Sequence, residues 1–480
     1  MNSRARRLPP VLLPLAVCAC TVGPDYAPPP AELPAAFVAP HEDGTVGVDG
    51  AFWRSFRDPV LDELVEKALA GSIDLRVAVA RLRAARARAG LATAMTRPEI
   101  GTHASYSNSR FSDNGFIKGL GGGTPGAVFP GQQIDLHEVG LDASWEIDLF
   151  GGGRRSVESA TAEADAALAD LHGVRVSVLG ELCVAYCGLR GFQTRLDVAR
   201  GLVAAQQESV DVITERAGAG IADPLDLARA QARLATLRAR LPELEGAIRT
   251  AIRGIETLLG EAPGALDARL TAPGPLPTLP DPLAVGIPSE VLARRPDVRA
   301  AERRLAAATA RIGVARADLL PRFSLTGSFG LQSQRLDELP QHDSVFWLLG
   351  PALRWPLLDF GRVNARIAEA DARTEEELAR YQGTVLQALS EVEVALVALA
   401  RDRRQLEELR RAESAAATAV ELADERHREG VLEYLDVLDA RRTRDDAREA
   451  VAENQEAVAV DVVRLIKALG GGWQVPAPRP

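Results

Sequence analysis

Between residues 139 and 149 the side chains alternate: Val139, Leu141, Ala143, Trp145, Ile147 and Leu149 share one parity, and Gly140, Asp142, Ser144, Glu146 and Asp148 the other. The same period returns at 322–331, where Phe323, Leu325, Gly327, Phe329 and Leu331 alternate with Arg322, Ser324, Thr326, Ser328 and Gly330. A period of two over about ten residues predicts a strand with one face toward lipid and one toward a lumen. A half-buried soluble sheet is the competing reading. The segments 99–109 and 344–357 alternate less cleanly and are expected as partner strands. Elsewhere the period is helical. Residues 60–95 and 289–318 are rich in Ala and Arg, and 154–217 and 363–428 in Ala, Glu, Arg, Leu and Val. No proline lies between Pro130 and Pro224, or between Pro356 and Pro476. Sixty-odd helical residues make a rod of about 95–100 Å. Each rod ends in a glycine-bearing turn, "ERAGAGIADPLDL" or "ERHREGVLEYLDVLDA", and return helices follow at about 225–259 and 434–467. Paired rods of this kind predict coiled-coil hairpins.

The chain repeats itself. An offset of 210 pairs Trp145 with Trp355, Phe150 with Phe360, Gly151 with Gly361, Glu215-Arg216 with Glu425-Arg426, Gly220 with Gly430, Leu225 with Leu435 and Asp226 with Asp436. Earlier in each copy the offset is 223: Asp74 with Asp297, Arg76 with Arg299, Arg81 with Arg304 and Pro98 with Pro321. The two offsets differ by an insertion at 111–131, matched by a shorter link around 334–343. Two copies of one unit (helix, strand pair, long hairpin) make up the chain.

The N-terminus carries a targeting pattern. Arg4, Arg6 and Arg7 precede a short apolar run, Val11–Ala19, too short to span a bilayer as a helix. Cys20 follows the small Ala19, whereas Cys18 follows Val17, so Cys20 is the expected lipid-attachment site. Thr21 stands where an Asp would divert a lipoprotein to the inner membrane, which favours the outer one. Removing residues 1–19 takes three arginines from a formal charge of −10, leaving about −13. An acidic mature chain excludes a nucleic-acid partner. No later segment reads as apolar for eighteen residues, so any spanning structure must be built from strands.

Four strands cannot close a barrel, for which about eight is the practical minimum. An open sheet in lipid leaves edge groups unpaired. Three copies supply twelve strands, so a homotrimer is expected.

"GIPSEVLARRPDVRAAERRLAAATARIGVARADLLPRFSLTGSFG", residues 286–330, resembles the midpoint signature of TolC-like outer-membrane factors of the lipoprotein branch often labelled NodT. "CTVGPDY" at Cys20–Tyr26 and "FWRSFRDPVLDELVEKAL" at 52–69 also resemble that branch. The resemblance implies an α+β membrane channel: a trimeric twelve-stranded outer-membrane β-barrel, four strands per chain, continued by a long periplasmic α-helical barrel. It implies passive conduction of drugs, metal ions or other small molecules. Its implied partners are a periplasmic membrane-fusion adaptor and an inner-membrane transporter of the resistance-nodulation-division type. No cofactor is implied beyond the diacylglycerol and acyl chain on Cys20, which only tether beside a barrel that already spans the outer-membrane lipid.

By the same resemblance Asp436 and Asp439 sit at the periplasmic gate. Trimerisation would turn each into a ring of three carboxylates that attracts cations. A spacing of three puts both on one helix face. The competing reading is two solvated charges favouring a helix N-terminus, and it is preferred for Asp226, because residue 229 is Arg. Leu432 occupies the place where some relatives carry a latching Arg, so apolar packing of Val431 and Leu432 is expected to help closure. Gly220 and Gly430 are expected at positive φ. Arg216, Leu225, Arg426 and Leu435, with the two turn glycines, are the expected adaptor-docking surface.

The expected divisions are 1–19 (signal), 20–60 (lipidated equatorial segment), 61–260 (first repeat), 261–288 (linker), 289–467 (second repeat) and 468–480 (tail). "LFGGGRR" at 149–155 lacks the Lys-Ser/Thr of a phosphate loop and reads as a flexible strand–helix junction. Cys183 and Cys187, four apart on a rod, read as buried core, and the six histidines show no ligand spacing. After Met1 only Met95 remains, so a methionine path for copper is unsupported. No nucleophile–base pair emerges, so no enzyme is expected. The alternatives kept open are the duct of a type I protein-secretion system and a pore-less coiled-coil scaffold lipoprotein.

Overall fold

The computed structural model describes residues 21–29, 33–40, 50–110, 133–219, 223–280 and 285–473. Cys20 and Gly220 lie outside them. The described elements are α1 (Pro59–Gly71), α2 (Ile73–Met95), β1 (Glu99–Arg110), β2 (Gln133–Ile147), α3 (Gly152–Gly218), α4 (Pro224–Leu259), α5 (Asp267–Leu270), α6 (Pro288–Arg294), α7 (Pro296–Ala317), β3 (Arg322–Ser333), β4 (Val345–Arg354), α8 (Arg362–Arg428) and α9 (Tyr434–Ala468). The rods α3 and α8 are each 67 residues long and are offset by 210.

Several boundaries differ from the expectations. The helices expected at 60–95 and 289–318 are each broken once, at Ser72 and Arg295, which the offset of 223 relates; their ψ values are 128° and 123°. Arg295 precedes Pro296, whose ring disfavours a helical conformation there. β2 begins at Gln133 and ends at Ile147, and Leu149 turns back to bond the Ile147 carbonyl at 2.9 Å. β4 stops at Arg354 rather than 357. α4 runs through Pro242. One eighteen-residue window of α8 reaches a mean hydropathy of 1.5, against the expectation that no such segment exists. It is 33% buried, and Leu386, Val394 and Val397 on α8 stand 55–68% exposed. Their helical spacing marks an apolar stripe that this chain leaves uncovered.

The chain forms two compact units that cut across the repeats. Of the described residues, one holds those up to 27 and those within 85–164 and 304–377; the other holds those within 28–84, 165–303 and 378–473.

The first unit contains the antiparallel sheet, in the order β1-β2-β3-β4. Its register aligns the apolar parities, setting Leu141 against Phe329 and Phe329 against Trp347. Leu141, Phe329, Trp347, Leu349 and Leu353 are 46–74% exposed on that face. The opposite parity of β2 and β3 is polar, and His103 of β1 lies there with its Nε2 2.9 Å from Glu138. Strand passes to helix through Gly151 and Gly361, at φ +85° and +86°, which only glycine adopts without strain. Beside the first junction the N-terminal segment is clamped. Arg155, its side chain 4% exposed, donates to the carbonyls of Val22 and Gly23 and to Asp25 at 2.6 Å. A side chain on Gly23 would meet Gly313 Cα at 2.4 Å, so the two backbones touch only because both residues are glycine.

The second unit holds the large core. Leu179, Leu182, Cys183, Tyr186, Cys187 and Leu189 of α3 pack with Ile252 and Ile255 of α4, Val392 and Leu396 of α8, Val462, Val463 and Ile466 of α9, and Leu61 and Leu64 of α1. Both cysteines are free and fully buried, and burial pushes the Cys187 thiol up to about 12. One polar network crosses this core. Asp58 caps α1 through Val60 N at 2.8 Å and accepts from the Tyr186 hydroxyl at 2.7 Å. Arg190 donates to that hydroxyl at 3.0 Å and to Gln193 at 2.7 Å, and Gln193 holds the Leu270 carbonyl of the linker at 2.7 Å.

Candidate functional site

The two hairpins end in different turns. The first leaves α3 at Gly218 and re-enters helix through Asp223, whose carboxylate accepts from Leu225 N at 2.8 Å, with Pro224 at the first helical position. The second closes at Gly430, φ +74° as expected, with Val431 N bonded to Arg426 O and Gly430 N to His427 O, both at 3.0 Å. This paired pattern satisfies the last carbonyls of a helix, and glycine alone takes its left-handed position without strain.

The turns are joined by a cluster that sequence reasoning missed. His427 holds the Leu432 carbonyl through Nδ1 at 2.9 Å, and its Nε2 lies 3.4 Å from Arg216 Nη1. A carbonyl only accepts, so Nδ1 carries the proton and the Nε2 lone pair meets the guanidinium. Arg216 also lies 5.5 Å over the Tyr434 ring, itself 5.3 Å from His427. Tyr434 and Leu438 rest on Val210, Ile213, Ala230 and Leu234 of the first hairpin. Farther along, Arg441 bridges Asp424 at 3.0 Å and Ser209 at 3.4 Å, Arg233 reaches Asp446 at 2.9 Å, and Arg240 pairs with Glu449. The contact between the two turns therefore runs from Arg216 of the first hairpin to His427 and Tyr434 of the second. Comparing the repeats hides it: the image of His427 is Ala217, and that of Tyr434 is Pro224.

The expected gate residues are placed as follows. Asp436 and Asp439 lie on the first turns of α9, both exposed. Asp439 is not a free carboxylate, because Arg442 reaches it at 3.0 Å. Leu432 is half-buried and its carbonyl accepts from His427, while Val431 is 73% exposed. Leu225 and Leu435 are 51% and 40% exposed, and Arg216, Arg426 and Gly430 are exposed as well. Asp226 sits in the first turn of α4 with Arg229 at 3.9 Å.

Residues 64–261 and 287–471, one match per repeat, fit the family described as outer membrane efflux protein. The chain belongs to that family. Nodulation protein T of Rhizobium leguminosarum bv. viciae is 33% identical over 473 residues, covering 98% of this chain and 94% of that protein. Outer membrane protein OprJ of Pseudomonas aeruginosa is 32% identical over 474 residues, covering 96% and 95%. Among solved structures, the outer-membrane channel OprN superposes with a TM-score of 0.85 at 38% identity, covering 95% of this chain and all of that one. The open state of the Neisseria gonorrhoeae MtrE outer membrane channel gives 0.84 at 28% identity, covering 95% and 99%. This outer membrane efflux protein is thus a non-enzymatic channel-type chain, as the resemblance implied. Within it the four-stranded sheet is the membrane part, and the tip cluster is one of several places where the two repeats are fastened together.

Proposed function

We propose that this outer membrane efflux protein is the passive exit duct of a tripartite pump and works as a homotrimer. The observation that carries the reading is the sheet. Four strands with an exposed apolar face and two unpaired edges make sense only when further copies and lipid complete them. The uncovered stripe of Leu386, Val394 and Val397 fits the same assembly. The tips, with Arg216, Leu225, Arg426, Gly430 and Leu435, receive a periplasmic adaptor, and a resistance-nodulation-division transporter supplies the energy. Asp436 and Asp439 ring the periplasmic gate, with Leu432 beside them. Cys20 carries the lipid; Thr21 follows it, and residues 22–25 are clamped by Arg155 at the base of the sheet. Cargo is drugs, metal ions or other small molecules.

Reconstitution into liposomes tests this directly. The purified chain should make vesicles permeable to small ions, more so when Asp436 and Asp439 are both replaced by Ala. Vesicles that stay sealed under conditions where a porin opens them would favour a pore-less scaffold.

A further inference from the structure

One pair of positions differs in kind between the two hairpins. The offset of 210 carries Phe192 of α3 onto Asp402 of α8, and Ala251 of α4 onto Asp461 of α9. Phe192 and Ala251 pack on the large core, as do Leu399 and Leu406 on either side of Asp402 and Val458, Val462 and Leu465 around Asp461. Asp402 is nevertheless 4% and Asp461 3% exposed. Where the first repeat sets an apolar pair, the second buries two acids, which is costly for carboxylates left unpaired.

The two acids face each other. Their side chains are hydrogen-bonded across α8 and α9. Each also meets an arginine of its own helix: Arg401 Nε lies 2.5 Å from Asp402 Oδ1, and Arg464 Nη1 lies 3.1 Å from Asp461 Oδ1. Asp461 Oδ2 is buried and has no donor among the described residues. Ionised carboxylates only accept, so contact between two of them requires a proton.

We propose that Asp402 and Asp461 share one proton and form a pH-sensitive joint between α8 and α9, closed while the proton is held and loosened when it leaves. The joint lies within one chain and stands apart from the duct reading. With the proton in place, one carboxyl donates to the other. Without it, two like charges face each other in a buried place and repel. Arg401 and Arg464 each bond the acid of their own helix, so they offset charge without tying the helices together. The largest influences on both carboxyls come from these two helices. Arg401 holds Asp402 below the usual carboxylate range; burial, with Asp402 itself, holds Asp461 above it against the pull of Arg464. The proton therefore resides on Asp461, although the titration belongs to the pair. Because its folded value is the raised one, the stabilising proton is present at low pH and is lost as pH rises through that value. Asp402 contributes in the opposite sense, and only at the acid end, below its lowered value.

Hydrogen–deuterium exchange of the full-length protein in detergent tests the joint, with rates corrected for the intrinsic effect of pH. Burial also holds Glu456 of α9 up to about 7, so the measurements are made on the Glu456→Gln protein. Protection at 398–406 and 457–465 should fall threefold or more between pH 5 and pH 8. The image segments around Phe192 and Ala251 should change less, as an internal control. Adding Asp461→Asn, whose amide can donate to Asp402 at either pH, should keep the pH 5 protection at pH 8. Adding instead Asp402→Phe/Asp461→Ala, which restores the pair of the first repeat, should also remove the pH dependence. Equal protection at the two pH values before these additions would overturn the joint. So would an undiminished loss in Asp461→Asn or, should that protein not fold, in the Phe/Ala variant.

Discussion

The indole N–H of Trp145 donates to the Thr96 carbonyl across 3.0 Å, and that of Trp355 donates to Leu319 across 3.0 Å. The two tryptophans are related by 210 and their acceptors by 223, so one bond spans the insertion that separates the two offsets. It fastens the strand leaving the sheet to the residues that enter it. Trp145→Phe and Trp355→Phe should each cost about 1 kcal/mol, the ordinary net worth of one hydrogen bond. Both losses should add in the double variant, since the sites are separate. Thermal unfolding of the detergent-solubilised protein checks this; a null effect in both variants would make the bond incidental.

Removal of Arg216 should loosen the tips. Its guanidinium is the atom group that reaches both His427 and Tyr434 from the first hairpin. Arg216→Ala should raise open-channel probability several-fold, and Arg216→Lys should restore only part of the closure, because an ammonium lacks the planar face that lies over Tyr434. Current recordings of the three proteins side by side give the answer. Equal closure in all three would remove the cluster from gating.

A half-buried carboxylate makes stability depend on pH. Glu456 of α9 lies over Gly191 of α3, where a side chain would sit 2.4 Å from its Cγ. Its Oε2 has no hydrogen-bond partner among the described residues. Burial raises the carboxyl from 4.5 to about 7, Arg195 pulls it back, and Glu453 pushes it further up. The folded-state value is the higher one, so folding disfavours the charged form. The penalty is absent below pH about 4.5, grows as pH rises to about 7, and is complete above that. Glu456→Gln should therefore stabilise the protein by about 2 kcal/mol at pH 8 and leave it unchanged at pH 4. Melting curves at the two pH values test the sign; equal shifts at both would contradict it.

The duplicated architecture was legible because its markers are chemically rare: Trp145 and Trp355, and the junction glycines Gly151 and Gly361, whose positive φ no other residue takes cheaply. The strands were legible in type but not in length. Leu149 continues the alternation after the ladder has ended, and pattern alone does not record hydrogen bonding. The break at Ser72 was illegible because the helical period continues on both sides, whereas the one at Arg295 was marked by Pro296 after it. At the tips, Asp436 and Asp439 could be placed on the first turns of α9 from their spacing after Gly430. The partners that change their meaning, Arg442 beside Asp439 and Arg216 beside His427, depend on side-chain reach between elements. Periodicity carries none of that.

As proposed, the duct closes at the tips around Asp436 and Asp439. Single-channel recording in planar lipid bilayers tests it most directly, with Asp436→Ala/Asp439→Ala measured beside the unaltered protein. A duct closed there should pass small, cation-preferring currents that grow and lose selectivity in the variant. Identical conductance and selectivity in the two proteins would remove these residues from the gate, and failure of either to insert a channel would contradict the duct itself.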